Sequence, residues 1–195
     1  SLGAGISFQK NGVFYPNLYL YAYREEITDL IYWLRGLNGV WRPENLYRAE
    51  KKGVDISLQQ TLWPGWLTLS LNYSSIRATN RTPDPLLYGK QLVFVPPYTW
   101  NGTMVLHHQG WKIMLFYQNV SQRETVPANS RGTSLPPYQV WDVAFSQEFQ
   151  LNEFQFTAML AIKNLGNQDY QLIFGYPMPG RHFQMSLKIV RKLSR

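Results

Sequence analysis

The sequence predicts an all-β fold, an antiparallel meander of about nine strands forming part of a transmembrane β-barrel. Three observations carry this expectation. Apolar and polar residues alternate with a period of two along most of the chain, short turns alternate with long connections, and amphipathic aromatic rings stand beside the short turns.

The alternation is clearest from Leu67, where Leu67, Leu69, Leu71 and Tyr73 share one face and Thr68, Ser70, Asn72 and Ser74 the other. It recurs at Val54, Ile56 and Leu58 against Asp55, Ser57 and Gln59. Phe154, Phe156, Ala158, Leu160 and Ile162 oppose Gln155, Thr157, Met159, Ala161 and Lys163. In the same way Phe183, Met185, Leu187 and Ile189 oppose His182, Gln184, Ser186 and Lys188. Trp141, Val143, Phe145 and Phe149 form another such face, broken by Gln147. From Asn17 to Tyr23 one face holds Tyr19, Tyr21 and Tyr23 and the other Leu18, Leu20 and Ala22, so periodicity alone does not choose the inner one. Met114 and Phe116 place apolar groups on an otherwise wet face. These patterns predict strands over 3–10, 14–34, 41–62, 66–77, 92–108, 111–121, 138–150, 153–164 and 173–190, with little or no helix.

Turn residues mark Asn11-Gly12, Pro64-Gly65, Gln109-Gly110 and Asn152-Glu153, whereas 78–91, 122–137 and 165–181 are long connections. In a meander this alternation gathers short turns at one end and long loops at the other, as in outer-membrane barrels. Trp66 and Trp111 stand beside short turns, where an aromatic girdle belongs. A soluble β-sandwich or lipocalin-like domain, with the apolar faces packed on each other, remains an alternative, as does a small self-contained outer-membrane barrel.

Composition narrows the chemistry. The 195 residues include no cysteine, which excludes a disulfide framework, a thiolate zinc site and a cysteine nucleophile. No apolar run is long enough for a transmembrane helix. The net charge of +7 is spread along the chain rather than gathered into a nucleic-acid footprint, so no nucleic-acid partner is expected; solvated loops and phosphate-bearing lipid head groups account for it equally well. The start at Ser1 reads as that of a processed or truncated chain.

Asn164-Leu165-Gly166-Asn167-Gln168-Asp169-Tyr170, followed by Gly175-Tyr176-Pro177-Met178-Pro179-Gly180-Arg181, resembles the C-terminal end of TonB-dependent outer-membrane receptors. Glu26 to Ile31 with Trp41-Arg42-Pro43-Glu44-Asn45 resembles a strand and loop upstream in that family. Arg48 to Asp55 resembles its Gly-Val-Glu strand, with Asp55 in place of Glu. The resemblance implies that 1–195 is the C-terminal part of a barrel of about 22 strands, with the N-terminal plug and TonB-contacting segment outside this chain. The implied partners are the remaining barrel strands and plug, TonB, outer-membrane lipid and lipopolysaccharide, and a small-molecule substrate. One departure is the tail Val190 to Arg195, where the family ends on an aromatic residue.

No catalytic constellation is present, and neither enzyme activity nor a cofactor is expected. His107 and His108 lie beside the Gln109-Gly110 turn without a nearby third ligand, so no metal site is assigned. Asp142 and Glu148 share a face but stand about 20 Å apart along a strand, too far for a glycosidase pair. The region around Pro179, Gly180 and Arg181 reads as loop-to-strand geometry: Pro179 fixes φ, Gly180 permits an unusual one, and Arg181 binds carbonyls or lumen carboxylates. The resemblance implies uptake of a scarce nutrient such as a metal chelate (siderophore) or cobalamin. Trp41, Tyr88 and Tyr176 are the candidate ligand-contacting rings in its loops.

Overall fold

Successive residues of a strand point to opposite faces, so the alternation read above becomes two chemically distinct surfaces once the strands pair. The computed structural model describes residues 1–8, 16–35, 39–130 and 132–191. In chain order the elements are β1 (Leu2–Phe8), β2 (Asn17–Arg35), β3 (Trp41–Leu62), the single turn α1 (Trp63–Trp66), β4 (Leu67–Asn80), β5 (Tyr98–His108) and β6 (Trp111–Val120). There follow β7 (Arg123–Glu124), β8 (Ser134–Leu135), β9 (Tyr138–Leu151), β10 (Phe154–Lys163), β11 (Gln171–Ile173), β12 (Tyr176–Pro177) and β13 (His182–Arg191).

Nine of these form one sheet in the order β1-β2-β3-β4-β5-β6-β9-β10-β13, each strand antiparallel to its neighbours, while β7-β8 and β11-β12 are small hairpins within the long connections. The Asn11-Gly12 turn lies outside the described residues. The other short turns are as predicted. Gln109 and Gly110 both take positive φ between His108 and its cross-strand partner Trp111, the backbone of a two-residue hairpin turn. Trp63 and Gly65 do so within α1, and Asn152 does so between Leu151 and Phe154.

Two predicted strands are shorter than the patterning suggested. The segment 92–97 is not part of β5: Pro96 and Pro97 offer no N–H to a ladder, and Phe94 takes φ 58°. It still runs beside β4, with Leu92 N donating to Ala78 O at 2.8 Å and Ile76 N to Pro97 O at 2.8 Å. The last strand begins at His182 rather than 173, because Pro177 and Pro179 interrupt the donors and Gly175, at φ 82°, turns β11 back onto β12.

Register sorts the side chains. Thr103, Gln118, Asp142, Lys163 and Gln184, from five successive strands, line one hollow of about 540 Å³, so the sheet curls around its polar face. The opposite face carries Leu71, Phe145, Phe149, Leu160 and Leu187 in the open, between 40% and 60% exposed. Leaving the exposed half of these five side chains in water costs roughly 5 kcal/mol, a large share of the net stability of a typical domain at about 5–15 kcal/mol. An apolar solvent must cover them. No second sheet packs on that face among the described residues, which sets aside the sandwich. Nor do β1 and β13, at opposite ends of the strand order, pair with each other to close a small barrel.

Aromatic rings border the apolar face at both ends. Trp66, His108 and Trp111 cluster at the short turns, with ring centroids 4.1 and 5.9 Å apart. Tyr73 packs on Trp100 at 4.3 Å, and Tyr117 on Trp141 at 4.4 Å, towards the long loops. At about 9–11 residues per crossing, the 19-residue β2 and 22-residue β3 continue well past the bilayer on the long-loop side.

The inner face between Asn17 and Tyr23 is the tyrosine face. Tyr19, Tyr21 and Tyr23 stack at 6.1 and 5.7 Å along β2 and lean over glycines on both neighbouring strands. Gly53 is required by this packing: a Cβ there would lie 2.5 Å from Ser75 O and 2.7 Å from the Tyr23 hydroxyl. Asp55, two residues on, accepts a 2.6 Å hydrogen bond from Ser74 across the β3-β4 pair. Gly53→Val in the intact protein therefore destabilises the sheet by about 1–3 kcal/mol. The check is a lower temperature for loss of the compact form in a heat-modifiability gel; an unchanged transition contradicts the packing.

Candidate functional site

The long connections meet at one end of the sheet, held there by buried polar groups. Asn164, 3% exposed and at φ 51°, closes the connection between β10 and β13. Its Nδ2 donates to Gln168 O (2.9 Å) and Pro179 O (3.2 Å), and its Oδ1 accepts from Gln168 N (2.9 Å). Its own N–H reaches Asp142 Oδ1 at 2.8 Å, and Asp142 Oδ2 accepts from Lys163 Nζ at 2.9 Å. Lys163 also lies 5.6 Å over the Phe116 ring, which accounts for an apolar residue on the wet face.

The stretch at Gly180 departs from the sequence reading in its cause. Gly180 does not take positive φ; it is small because Asn167 Oδ1 would stand 2.8 Å from a Cβ. Arg181 contributes its backbone N–H, donating to the same Asn167 Oδ1 at 2.8 Å, rather than its guanidinium.

A second clamp joins neighbouring loops. Arg123, 5% exposed, donates from Nη2 to Pro136 O (3.3 Å) and Gln171 O (3.1 Å), and lies 5.0 Å over the Tyr138 ring. Tyr138 packs in turn on Tyr170 at 4.6 Å. Burial raises both phenols' pKa, so they stay protonated through neutral pH. Against this scaffold Trp41, Phe94 and Phe174, with Thr125, Val126 and Thr133, line a cavity of about 230 Å³.

Of the three candidate rings, Trp41 lines that cavity. Tyr176 stands in β12, 60% exposed, on the hairpin that carries Phe174. Tyr88 sits elsewhere: Arg81 lies 5.3 Å over its ring and Arg81 Nη1 donates to its hydroxyl at 3.2 Å. Arg81 also donates from Nε to Glu50 Oε2 at 2.8 Å, while Arg24 Nε meets Glu50 Oε1 at 3.0 Å. The structure thus does not bring the three together. Phe94, Phe174 and Arg123 were not singled out by sequence. The Pro96-Pro97 pair after Phe94 was the one signal of a loop there, and Arg123 gave none.

His107 and His108, adjacent on β5, point to opposite faces, so they do not chelate one ion together. Asp142 and Glu148 are each in an ion pair, with Lys163 and with Lys112.

Two outcomes follow. Asn164→Ala removes three hydrogen bonds from a buried group, about 3 kcal/mol at roughly 1 kcal/mol each, and exposes 165–181 to added protease in the intact protein; unchanged cleavage contradicts the clamp. The Arg81 hydrogen bond holds the Glu50 carboxyl below its usual range, the Arg24 charge adding to it. That contribution is present above the unfolded pKa and is lost as pH falls through the lower folded one. Hydrogen-exchange protection around Arg81, corrected for the intrinsic pH dependence of exchange, accordingly stays high at neutral pH and falls only in acid; a fall already near pH 6 contradicts this.

The family profile described as "TonB dependent receptor-like, beta-barrel" matches residues 1–165. Among solved structures, the chain is similar to the ferric preacinetobactin receptor of Acinetobacter baumannii, at 17% identity and TM-score 0.72, over 96% of this chain and 28% of that one. It is similar to the ferric citrate transporter FecA at 15% identity and TM-score 0.74, over 96% and 30%. A third likeness is to the copper transporter OprC, at 16% identity and TM-score 0.70, over 95% and 30%. At these identities the structural likeness speaks for the fold, and the chain spans less than a third of the length of each. A family match over most of the chain, a sheet polar inside and apolar outside, and short turns opposite long loops agree: this chain belongs to the TonB-dependent receptor family, as a segment of its outer-membrane β-barrel.

Proposed function

We propose that this segment is the C-terminal part of a receptor barrel that takes up a metal chelate or cobalamin in a TonB-dependent cycle. In this reading its loops form part of the extracellular binding cup. The observation that carries it is the aromatic cavity among the long loops, where Trp41, Phe94 and Phe174 come from three separate segments onto one rigid scaffold. Ligand sites are concave and mostly apolar, with a few polar groups that fix orientation. Here Thr125 and Thr133 supply hydroxyls beside the rings. Remaining strands pair with β1 and β13, a plug fills the lumen against Asp142, Lys163 and Gln184, and TonB engages the plug side.

The solved relatives support a metal-bearing cargo in kind, since two are a ferric chelate receptor and a ferric citrate transporter and the third a copper transporter. Trp41 and Tyr176 are proposed as direct ligand contacts. Tyr88 is proposed as a peripheral one, with its ring already engaged by Arg81.

The test presents the full-length receptor with ferric catecholate, hydroxamate and citrate complexes and with cobalamin, reading affinity by quenching of intrinsic fluorescence. One of these binds, and Trp41→Ala weakens it about tenfold or more, a loss typical of a buried aromatic anchor. Tyr176→Ala has a smaller effect and Tyr88→Ala the smallest. Binding that survives Trp41→Ala and Phe174→Ala unchanged overturns the cup assignment.

A further inference from the structure

On the inward face, the register sets Ser57, Asn72, Asn101 and Gln118 in one line across four strands, all of them hydrogen-bonding groups. The same line begins on β2 with Tyr19, and there the wall changes character. Tyr19, Tyr21 and Tyr23 follow one another along β2, neighbouring rings lying within 16° and 23° of parallel. Two of them lie down against the sheet. The Tyr21 ring fills the space that a side chain at Gly3 or Gly5 would take, and the Tyr23 ring fills the space beside Gly53. Each of these rings therefore rests one face on glycine backbone and turns the other to the lumen, while Tyr19 beside them is 44% exposed.

Ring faces bind differently from the rest of such a wall. Hydrogen-bonding groups hold a solute in fixed orientations, whereas a ring face accepts another ring in several, with little demand on its substituents. The row also runs along the strand, and so across the membrane rather than around the sheet. Its centroids are 6.1 and 5.7 Å apart, close enough for a ring leaving one tyrosine to meet the next. Passage needs sites of this kind, favourable to enter and weak enough to leave. At the loop end of the row Lys51 Nζ lies 5.4 Å over the Tyr23 ring, which sets a positive charge at the entrance. Lys51 and Gly53 stand at even spacing on β3 from Trp41, so the aromatic cavity and the row belong to one continuous face.

We propose that Tyr19, Tyr21 and Tyr23 form a stacking track on the lumen wall, along which the planar rings of a ring-bearing metal chelate pass after leaving the cup, with Lys51 at the entry. The inference rests on the uptake reading above and adds to it a path and a feature of the cargo. Three like faces at a nearly constant step suit a solute in transit, since they offer no unique seat to a fixed partner.

The test measures binding and uptake separately in cells that carry the intact protein. The probes are a radiolabelled ferric catecholate complex and cobalamin, which bear rings, and ferric citrate, which bears none. Tyr19→Leu with Tyr21→Leu lowers the uptake rate of the ring-bearing probe that the protein binds by about fivefold or more, the loss of two stacking faces, and leaves its dissociation constant unchanged. Phenylalanine at the same two positions keeps the faces and restores uptake. Heat-modifiability confirms that each variant is folded. Uptake that survives the leucine pair unchanged overturns the track, and so does an equal loss of affinity and uptake, which would place these rings in the cup. Passive entry of a large antibiotic through the leucine variant overturns it as well, by showing that the rings seat the plug. Binding of ferric citrate alone overturns the track and leaves the cup standing, whereas binding of none of the three probes or of a ferric hydroxamate complex rejects both.

Discussion

Hydrocarbon offers no hydrogen bonds, and this one property of the solvent shapes the segment. A strand crossing it must pair its N–H and C=O groups with neighbours on both sides, so the chain runs as an unbroken antiparallel meander. It must also show apolar side chains to lipid while the other face meets the lumen, which forces the period of two. Prolines correspondingly stay out of the middle of the sheet: Pro96, Pro97 and Pro179 lie in connections, Pro177 in the small β11-β12 hairpin, and Pro43 near the long-loop end of β3. Most of the buried polar groups, among them Asn80, Ser121, Arg123 and Asn164, collect at the loop end, where side chains and loop backbone supply partners.

That same constraint explains what was legible in the sequence. Strands whose two faces differ sharply, such as Leu67 to Tyr73 and Phe154 to Ile162, were read with their lipid face correct. The tyrosine-rich face of β2 was not assignable, because tyrosine suits either a girdle or a lumen. What decides it is Gly3, Gly5 and Gly53 on adjacent strands, under Tyr21 and Tyr23, and cross-strand pairing is not visible in one segment read alone. The strand ends failed where a hydrophobic run, Leu92 to Val95, continued past the point at which proline stops the ladder. A run of apolar residues says nothing of whether their backbone is paired.

The site was less legible than the sheet for a similar reason. Trp41 could be named because an aromatic ring at the loop end of a strand is conspicuous, but its companions Phe94 and Phe174 lie 53 and 133 residues away in sequence by the numbering. Arg123 looks like any surface cation until its bonds to Pro136 and Gln171 are seen. The stretch from Asn164 to Arg181 stands out in the sequence, and its physical content is a network of side-chain amides with backbone rather than a charged arginine in the lumen.

The assignment of the two faces underlies the whole account of the barrel segment, and it is open to direct measurement. The segment contains no cysteine, so single cysteines introduced along β9 from Trp141 to Phe149 of the full-length receptor can carry spin labels in a bilayer, provided native cysteines elsewhere are removed. Collision with oxygen should peak at 141, 143, 145 and 149, and collision with a water-soluble nickel chelate at 142, 144, 146 and 148. A reversed phase, or contact with the nickel chelate at every position, would contradict the account.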